Sequence, residues 1–275
     1  MEVERMNQIA IVLDRLIEAT AWEMIPPTAY GPFHLTFTFA GLALCILAAW
    51  KLRNLGEKWN RRLLVLVGTV LVVSEIYKQL FYYFHIGNGT YQWWIFPFQL
   101  CSVPMYLCLI APFLRDGKIR NGMYSFMMIY NLLGGFMAFV EPSGLIHSYW
   151  TLTLHAFCWH MLLVFVGLYL AASGRGGKEI RDYWSATAAF VVLCALAFCL
   201  NLIFWKASNG SMNMFFVGPA NSPLIVFKDI AKNFGWYVST ALYIPVVSLG
   251  GFLIFLPFYL YAKRAKKRNL NMVNS

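Results

Sequence analysis

The sequence predicts an all-α protein: a polytopic membrane helix bundle with about seven transmembrane helices. Apolar residues make up 60% of the chain and charged residues 12%, whereas a soluble domain carries about 25% charged residues. Seven apolar segments of about 20 residues each match a ~30 Å hydrocarbon layer at a rise of about 1.5 Å per residue. Since backbone polar groups cannot stay unpaired in lipid, each segment is predicted to be helical.

Three regions follow from this pattern in chain order. Residues 1–30 are predicted to form an N-terminal amphipathic interfacial helix and a linker, because apolar residues recur there at helical spacing among charges. Residues 31–262 form the predicted seven-helix transmembrane domain, and 263–275 a basic cytoplasmic tail. The predicted spans are 33–52, 62–84, 94–114, 122–141, 150–172, 184–205 and 237–262.

The links between the spans alternate in charge. Links 51–62, 115–121 and 173–183 are rich in Lys and Arg, whereas 84–93 and 142–149 contain neither. The positive-inside rule therefore predicts an N-terminus outside and a C-terminus in the cytoplasm of a multi-pass protein, here expected in the plasma membrane. This placement also explains the net charge of +10, so nucleic acid is not an expected partner.

Polar residues inside the predicted spans concentrate in the outer half of the bundle. Ionisable groups are costly in lipid, so their clustering predicts a polar cavity there. Each also has a plainer explanation: Glu75 and Lys78 can pair along one helix face, and Asn131 and Asn201 can join helices by hydrogen bonds. The candidates are Glu75, Lys78, Gln99, Cys101, Asn131, Glu141, His155, His160 and Asn201.

Cys101 and His160 are the candidate catalytic pair. Cys101 lies about seven residues into the third span, roughly 10 Å deep at the helical rise, and His160 about ten residues into the fifth. A cysteine with a nearby histidine is the minimal nucleophile and base, although a buried cysteine alone is more often a packing residue. Gln99 or Asn201 could stabilise an oxyanion, and Glu75 could orient the imidazole.

The six cysteines show no metal-binding or disulfide spacing. No nucleotide or metal motif appears elsewhere, so no cofactor and no metal are expected. The residues alone do not indicate an oligomeric state.

Five stretches in order resemble the YwaF-like bacterial integral membrane family, relatives of the eukaryotic transmembrane protein 164 acyltransferases. Together they cover roughly residues 60–262. The stretches are SEIYKQL with Glu75, FPFQLCSVPMYL with Cys101, CWHMLLVFVGLYL with His160, NGSMNMFFVGPANSPLI after Asn201, and FGWYVSTALYIP.

The resemblance implies an acyltransferase that moves a fatty acyl chain between membrane phospholipids. Cys101 would carry the acyl chain as a thioester and His160 would be its base, with Glu75, Gln99 and Asn201 supporting the polar cavity. One departure is Gln99, which stands where the family often has a His, and an amide cannot take up a proton near neutral pH. The alternative is a transporter, channel or lipid-binding membrane protein that uses the same cavity without chemistry.

Overall fold

The long apolar segments of the sequence form helices in the computed structural model, which describes residues 2–220 and 222–273. Within these ranges the secondary structure is helical, apart from a single β-bridge between Glu23 and Tyr149. The α-helices are α1 (Glu2–Glu18), α2 (Pro32–Leu52), α3 (Glu57–Phe81), α4 (Val103–Ile110), α5 (Lys118–Val140), α6 (Trp150–Ala172), α7 (Ile180–Ile203), α8 (Ile225–Phe234) and α9 (Trp236–Val273).

Six of these helices are long and apolar enough to cross a membrane: α2, α3 with its π-helical extension, α5, α6, α7 and α9. The third predicted span, 94–114, differs from the prediction because it is not one helix. It begins with a 3-10 turn at Trp93–Ile95, continues through an irregular stretch, and becomes helical again only at α4. Pro97 lies in this stretch, and a proline can neither donate a backbone hydrogen bond nor follow a helical residue easily.

Helix α5 forms the centre of the bundle. Tyr124 to Leu132 are all buried, and α5 packs against α6, α7 and α9. Glycines allow the closest of these approaches, because a Cβ built on Gly135 would lie 2.6 Å from Val164 Cγ2 of α6. Helix α2 packs on the outer side of α6 and exposes Phe39 and Leu44, as expected of a lipid-facing helix.

The basic links meet at one end of the bundle, which we name the basic end. Arg120 pairs with Glu57 at 2.7 Å, joining α5 to α3. Arg175, which follows α6, donates to the carbonyl oxygen of Leu55 at 2.5 Å. The Lys- and Arg-rich links therefore lie at one end of the fold, and the links without these residues lie at the other end.

The opposite end carries the N-terminal helix. Ile17 of α1 packs with Phe81, Tyr82, Ile95 and Leu152. Backbone bonds tie the following segment to the start of α6, where Trp150 N–H donates to Trp22 O at 2.9 Å. Along α1 several apolar residues, among them Val12 and Leu16, remain exposed, which suits a helix lying at a membrane interface.

Two features near the C-terminus extend beyond the sequence prediction. Link 206–236 contains a 3-10 turn at Met214–Phe216 and the short helix α8, which packs on α9. Helix α9 continues to Val273 through the predicted basic tail.

Candidate functional site

Cys101 lies in a turn, two residues before α4 begins. Ser102 N–H donates to Gln99 O at 2.8 Å and closes this turn. The thiol is half-buried. Because the N-terminus of a helix carries partial positive charge, the start of α4 favours an anion at this point.

Helix α6 holds the Cys101 turn directly. The indole nitrogen of Trp159 donates to the carbonyl oxygen of Cys101 at 3.0 Å, and Trp159 is 5% exposed. Trp159 is the neighbour of His160 in the sequence, so α6 brings this histidine to the level of the cysteine. Trp159 is not among the predicted site residues; a tryptophan deep inside a span was the available signal, since its N–H needs a partner when buried.

A charged cluster on α3 lies beside the same turn. Glu75, which is 4% exposed, pairs with Lys78 Nζ at 2.9 Å and accepts a bond from Gln79 Nε2 at 2.7 Å. Gln79 also donates to Ile95 O at 2.8 Å, which connects α3 to the segment before Cys101. The charges of Lys78 and Glu75 both act on the Cys101 thiol, so the α3 cluster is its electrostatic surrounding.

The tautomer of His160 is set by its backbone. Nδ1 lies 2.8 Å from the carbonyl oxygen of Ala156, one turn earlier in α6. A carbonyl oxygen can only accept, so Nδ1 carries the proton and Nε2 of the neutral ring has a free lone pair. His160 thus has the form required of a base.

Cys101 and His160 are not joined by a hydrogen bond in the part of the chain that the structure describes. Catalytic contacts are often longer without substrate, so a functional pair remains a prediction. His155 stacks at a tilt beside Trp159, with ring centroids 5.5 Å apart.

Gln99 and Asn201 have a shared structural task. Gln99 donates to Asn213 O at 3.0 Å and accepts from Phe215 N–H at 2.7 Å. Asn201 donates to Met214 O at 3.0 Å and accepts from Met214 N–H at 2.7 Å. Both amides therefore hold one turn of link 206–236.

The turn that these amides hold is strained. Phe215 and Phe216 have φ values of 54° and 58°, a region that bulky residues seldom adopt. Phe215 is fully buried, and its ring contacts Phe98 at 5.7 Å and Phe190 at 6.3 Å. Strain of this kind persists only where surrounding contacts enforce it, and it is common beside functional sites.

Two cavities lie at the basic end, distant from the cysteine turn. One, of about 580 Å³, lies between the end of α6 and α9 and includes Lys178 and Lys266. The other, of about 310 Å³, lies among Arg120, Arg175 and their acidic partners. Neither is lined by Cys101 or His160.

The fold and the site together define a class: a multi-pass helical membrane protein with a cysteine turn that a neighbouring helix holds by a hydrogen bond. Within this class, the chain belongs to the TMEM164 family, whose sequence model matches residues 29–256, more than half of the chain. This range includes Glu75, Gln99, Cys101, His160 and Asn201. Searches among curated proteins and among solved structures found no match.

Proposed function

We propose that this protein is a cysteine-dependent lipid acyltransferase of the plasma membrane, with phospholipids as substrates. The observation that carries the proposal is the position of Cys101 in a turn just before α4. The carbonyl oxygen of Cys101 accepts a hydrogen bond from Trp159 of α6, which holds this turn. Membership of the TMEM164 family supports a membrane acyltransferase in general terms.

The first half of the reaction would place the acyl chain on the enzyme. The Cys101 thiol gives its proton to His160 Nε2, and the thiolate attacks the ester carbonyl carbon of a phospholipid. A C–S bond forms, the ester C–O bond breaks, and the lysophospholipid alkoxide leaves with the proton from His160. Splitting the transfer in this way replaces one difficult step by two easier ones.

The second half reverses these roles. His160 takes a proton from the hydroxyl of a second lysophospholipid, whose oxygen attacks the thioester carbonyl. The C–S bond then breaks, and the thiolate recovers the proton. Positive charge on Lys78 and at the α4 N-terminus can stabilise the thiolate, whereas the carboxylate of Glu75 is paired with Lys78 at 2.9 Å.

The test is an acyl-exchange assay with purified protein in phosphatidylcholine vesicles. Cys101→Ala should lose transfer to background, and His160→Ala should lose it comparably because the two act as a unit. Mass spectrometry of the wild type should find an acyl adduct on Cys101 that hydroxylamine removes.

Cys158→Ala is the matched control, because Cys158 is an exposed cysteine of α6. It should retain wild-type transfer. If folded Cys101→Ala transfers acyl chains normally, the enzyme proposal fails. A transporter or channel would instead tolerate Cys101→Ala and lose function on substitution of Glu75 or Lys78.

A further inference from the structure

Asn131 is a buried amide whose polar atoms have no partner. It lies in the middle of α5 and is 2% exposed. Neither its Nδ2 nor its Oδ1 forms a hydrogen bond with any residue that the structure describes. An amide buried in this state carries a free-energy penalty, so Asn131 opposes folding unless something else binds it.

Asn201 shows that the fold satisfies a comparable amide elsewhere. It is fully buried, and both its Nδ2 and its Oδ1 are bonded to Met214. The same residue type thus has two uses within one bundle. Asn201 positions a turn, whereas Asn131 presents two unused hydrogen-bonding atoms to the interior.

The neighbours of Asn131 on α5 show which interior it faces. Four residues before it, Met127 Sδ lies 3.7 Å from Cys108 Sγ of α4. Four residues after it, a Cβ built on Gly135 would lie 3.2 Å from the carbonyl oxygen of His160. Residues four apart share a helix face, so Asn131 lies on the face of α5 that contacts Cys108 of α4 at one end and the backbone of His160 at the other.

Other unpartnered groups lie on helices around the same site. Among the described residues, Glu75 Oε2 on α3 and His155 Nε2 on α6 also lack a hydrogen-bond partner although both atoms are buried. Glu75 acts on the Cys101 thiol, and His155 stacks beside Trp159, which holds the Cys101 turn. Unused donors and acceptors therefore lie on α3, α5 and α6, the helices that carry or face the Glu75–Lys78 pair and His160.

We infer that the Asn131 amide binds the carbonyl oxygen of the lipid ester and donates to the oxyanion formed when Cys101 attacks. This inference rests on the proposed acyl transfer and adds a donor to it, whereas the amides of Gln99 and Asn201 each make bonds to the turn of link 206–236. When the C–S bond forms, the carbonyl π electrons move to oxygen, and the Nδ2–H of Asn131 stabilises that charge. The charge returns to form the carbonyl again as the lysophospholipid alkoxide leaves.

The test compares Asn131→Leu with Asn201→Leu, both of which replace a buried amide by an apolar group of similar size. Asn131→Leu should keep or raise the thermal unfolding midpoint, because it removes an unsatisfied group. Its kcat for transfer from labelled phosphatidylcholine to lysophosphatidylcholine should fall about 10²- to 10³-fold, as for the loss of one oxyanion donor, with KM little changed. Asn201→Leu should lower the unfolding midpoint.

A second variant, Asn131→Ala, protects the test against misfolding caused by the larger side chain. It should also lose kcat, and acylation of Cys101 by the labelled phosphatidylcholine should slow in parallel. Normal kcat in folded Asn131→Leu or Asn131→Ala, beside an inactive Cys101→Ala, would overturn the inference and leave the acyltransferase intact. A lower unfolding midpoint in both Asn131 variants would also overturn it, since that result marks a structural amide. If Cys101→Ala is fully active, the proposed function itself fails and the inference fails with it.

Discussion

Trp159 and Cys101 are joined by a hydrogen bond of 3.0 Å from the indole nitrogen to the cysteine carbonyl oxygen. The bond fixes the backbone of the turn, not the thiol. It links α6, which also carries His160, to the irregular segment before α4, whose backbone has few hydrogen bonds of its own to fix the position of Cys101.

Trp159→Phe should therefore weaken the site more than the fold. The change removes one hydrogen bond, worth about 0.5–1.5 kcal/mol of unfolding free energy, and keeps an aromatic ring in the core. We expect a modest fall in the unfolding midpoint and a larger fall in acyl transfer. Trp184→Phe, at a tryptophan that is 62% exposed, is the control and should change neither. Equal transfer by the two variants would show that the bond does not position Cys101.

Gln99→Ala should release the turn at Asn213–Phe215. It removes the bonds to Asn213 O and Phe215 N–H, and about 1–3 kcal/mol of unfolding free energy should be lost. Hydrogen–deuterium exchange should accelerate at residues 213–218. Gln92→Ala, which removes one bond to Thr90 O, should leave exchange in this range unchanged. Unchanged exchange in Gln99→Ala would mean that packing alone holds the turn.

Two adjacent glycines of α5 should respond in opposite ways to alanine. At Gly135 a Cβ would meet Val164 and the carbonyl of His160, whereas at Gly134 nothing lies within 4 Å. Gly135→Ala should cost about 1–3 kcal/mol by overpacking the seam between α5 and α6. Gly134→Ala should be neutral or stabilising by up to about 1 kcal/mol, because alanine favours a helix. Thermal unfolding in detergent measures both, and similar midpoints would argue against a close seam.

His147 predicts a pH dependence at the end of the bundle that carries α1. Burial lowers the pKa of His147 below its ordinary value of 6.5, and the charge of Lys78 lowers this pKa further. The unfolded chain then binds more protons than the folded chain, so stability falls as pH drops below about 6.5. His147→Gln should reduce the loss of unfolding midpoint between pH 7.5 and 5.5. The same loss in both proteins would assign the pH dependence to other groups.

The orientation predicted from charge can be tested with single cysteines at the basic end. Labels at Lys58, Gly117 and Gly176 should be accessible only from the cytoplasm, because Lys- and Arg-rich links are retained there. If two of the three sites are labelled from the other side, the orientation is the reverse of the predicted one. The substrate would then come from the opposite lipid leaflet.

The long helices were predictable because length and apolar composition determine them. Segment 94–114 was not, since an apolar composition indicates burial but not backbone geometry, and Pro97 interrupts the helix. The extension of α9 beyond the predicted span end at residue 262 was also not predicted. Lys and Arg mark where the membrane ends, but they are good helix formers, and the helix continues to Val273.

The site was predictable only in part. Glu75, Lys78, Cys101 and His160 are predictable as polar or reactive groups in apolar surroundings, and the pairing of Glu75 with Lys78 along one helix face is present in the structure. The task of Gln99 could not be foreseen, because its two partners lie 114 and 116 residues later in the chain. Proximity of that kind comes from tertiary packing and leaves no local pattern.

The turn at Phe215 and Phe216 also has a consequence for biosynthesis. Its anchors, Gln99 and Asn201, precede it in the chain, whereas α8 and α9 follow it. The turn can therefore be seated while the ribosome is still making the final helix. That helix then meets a finished surface, where Tyr243 approaches Phe190 at 6.3 Å and Phe227 at 5.4 Å. A chain in which this turn does not form would lack part of the surface against which α9 packs.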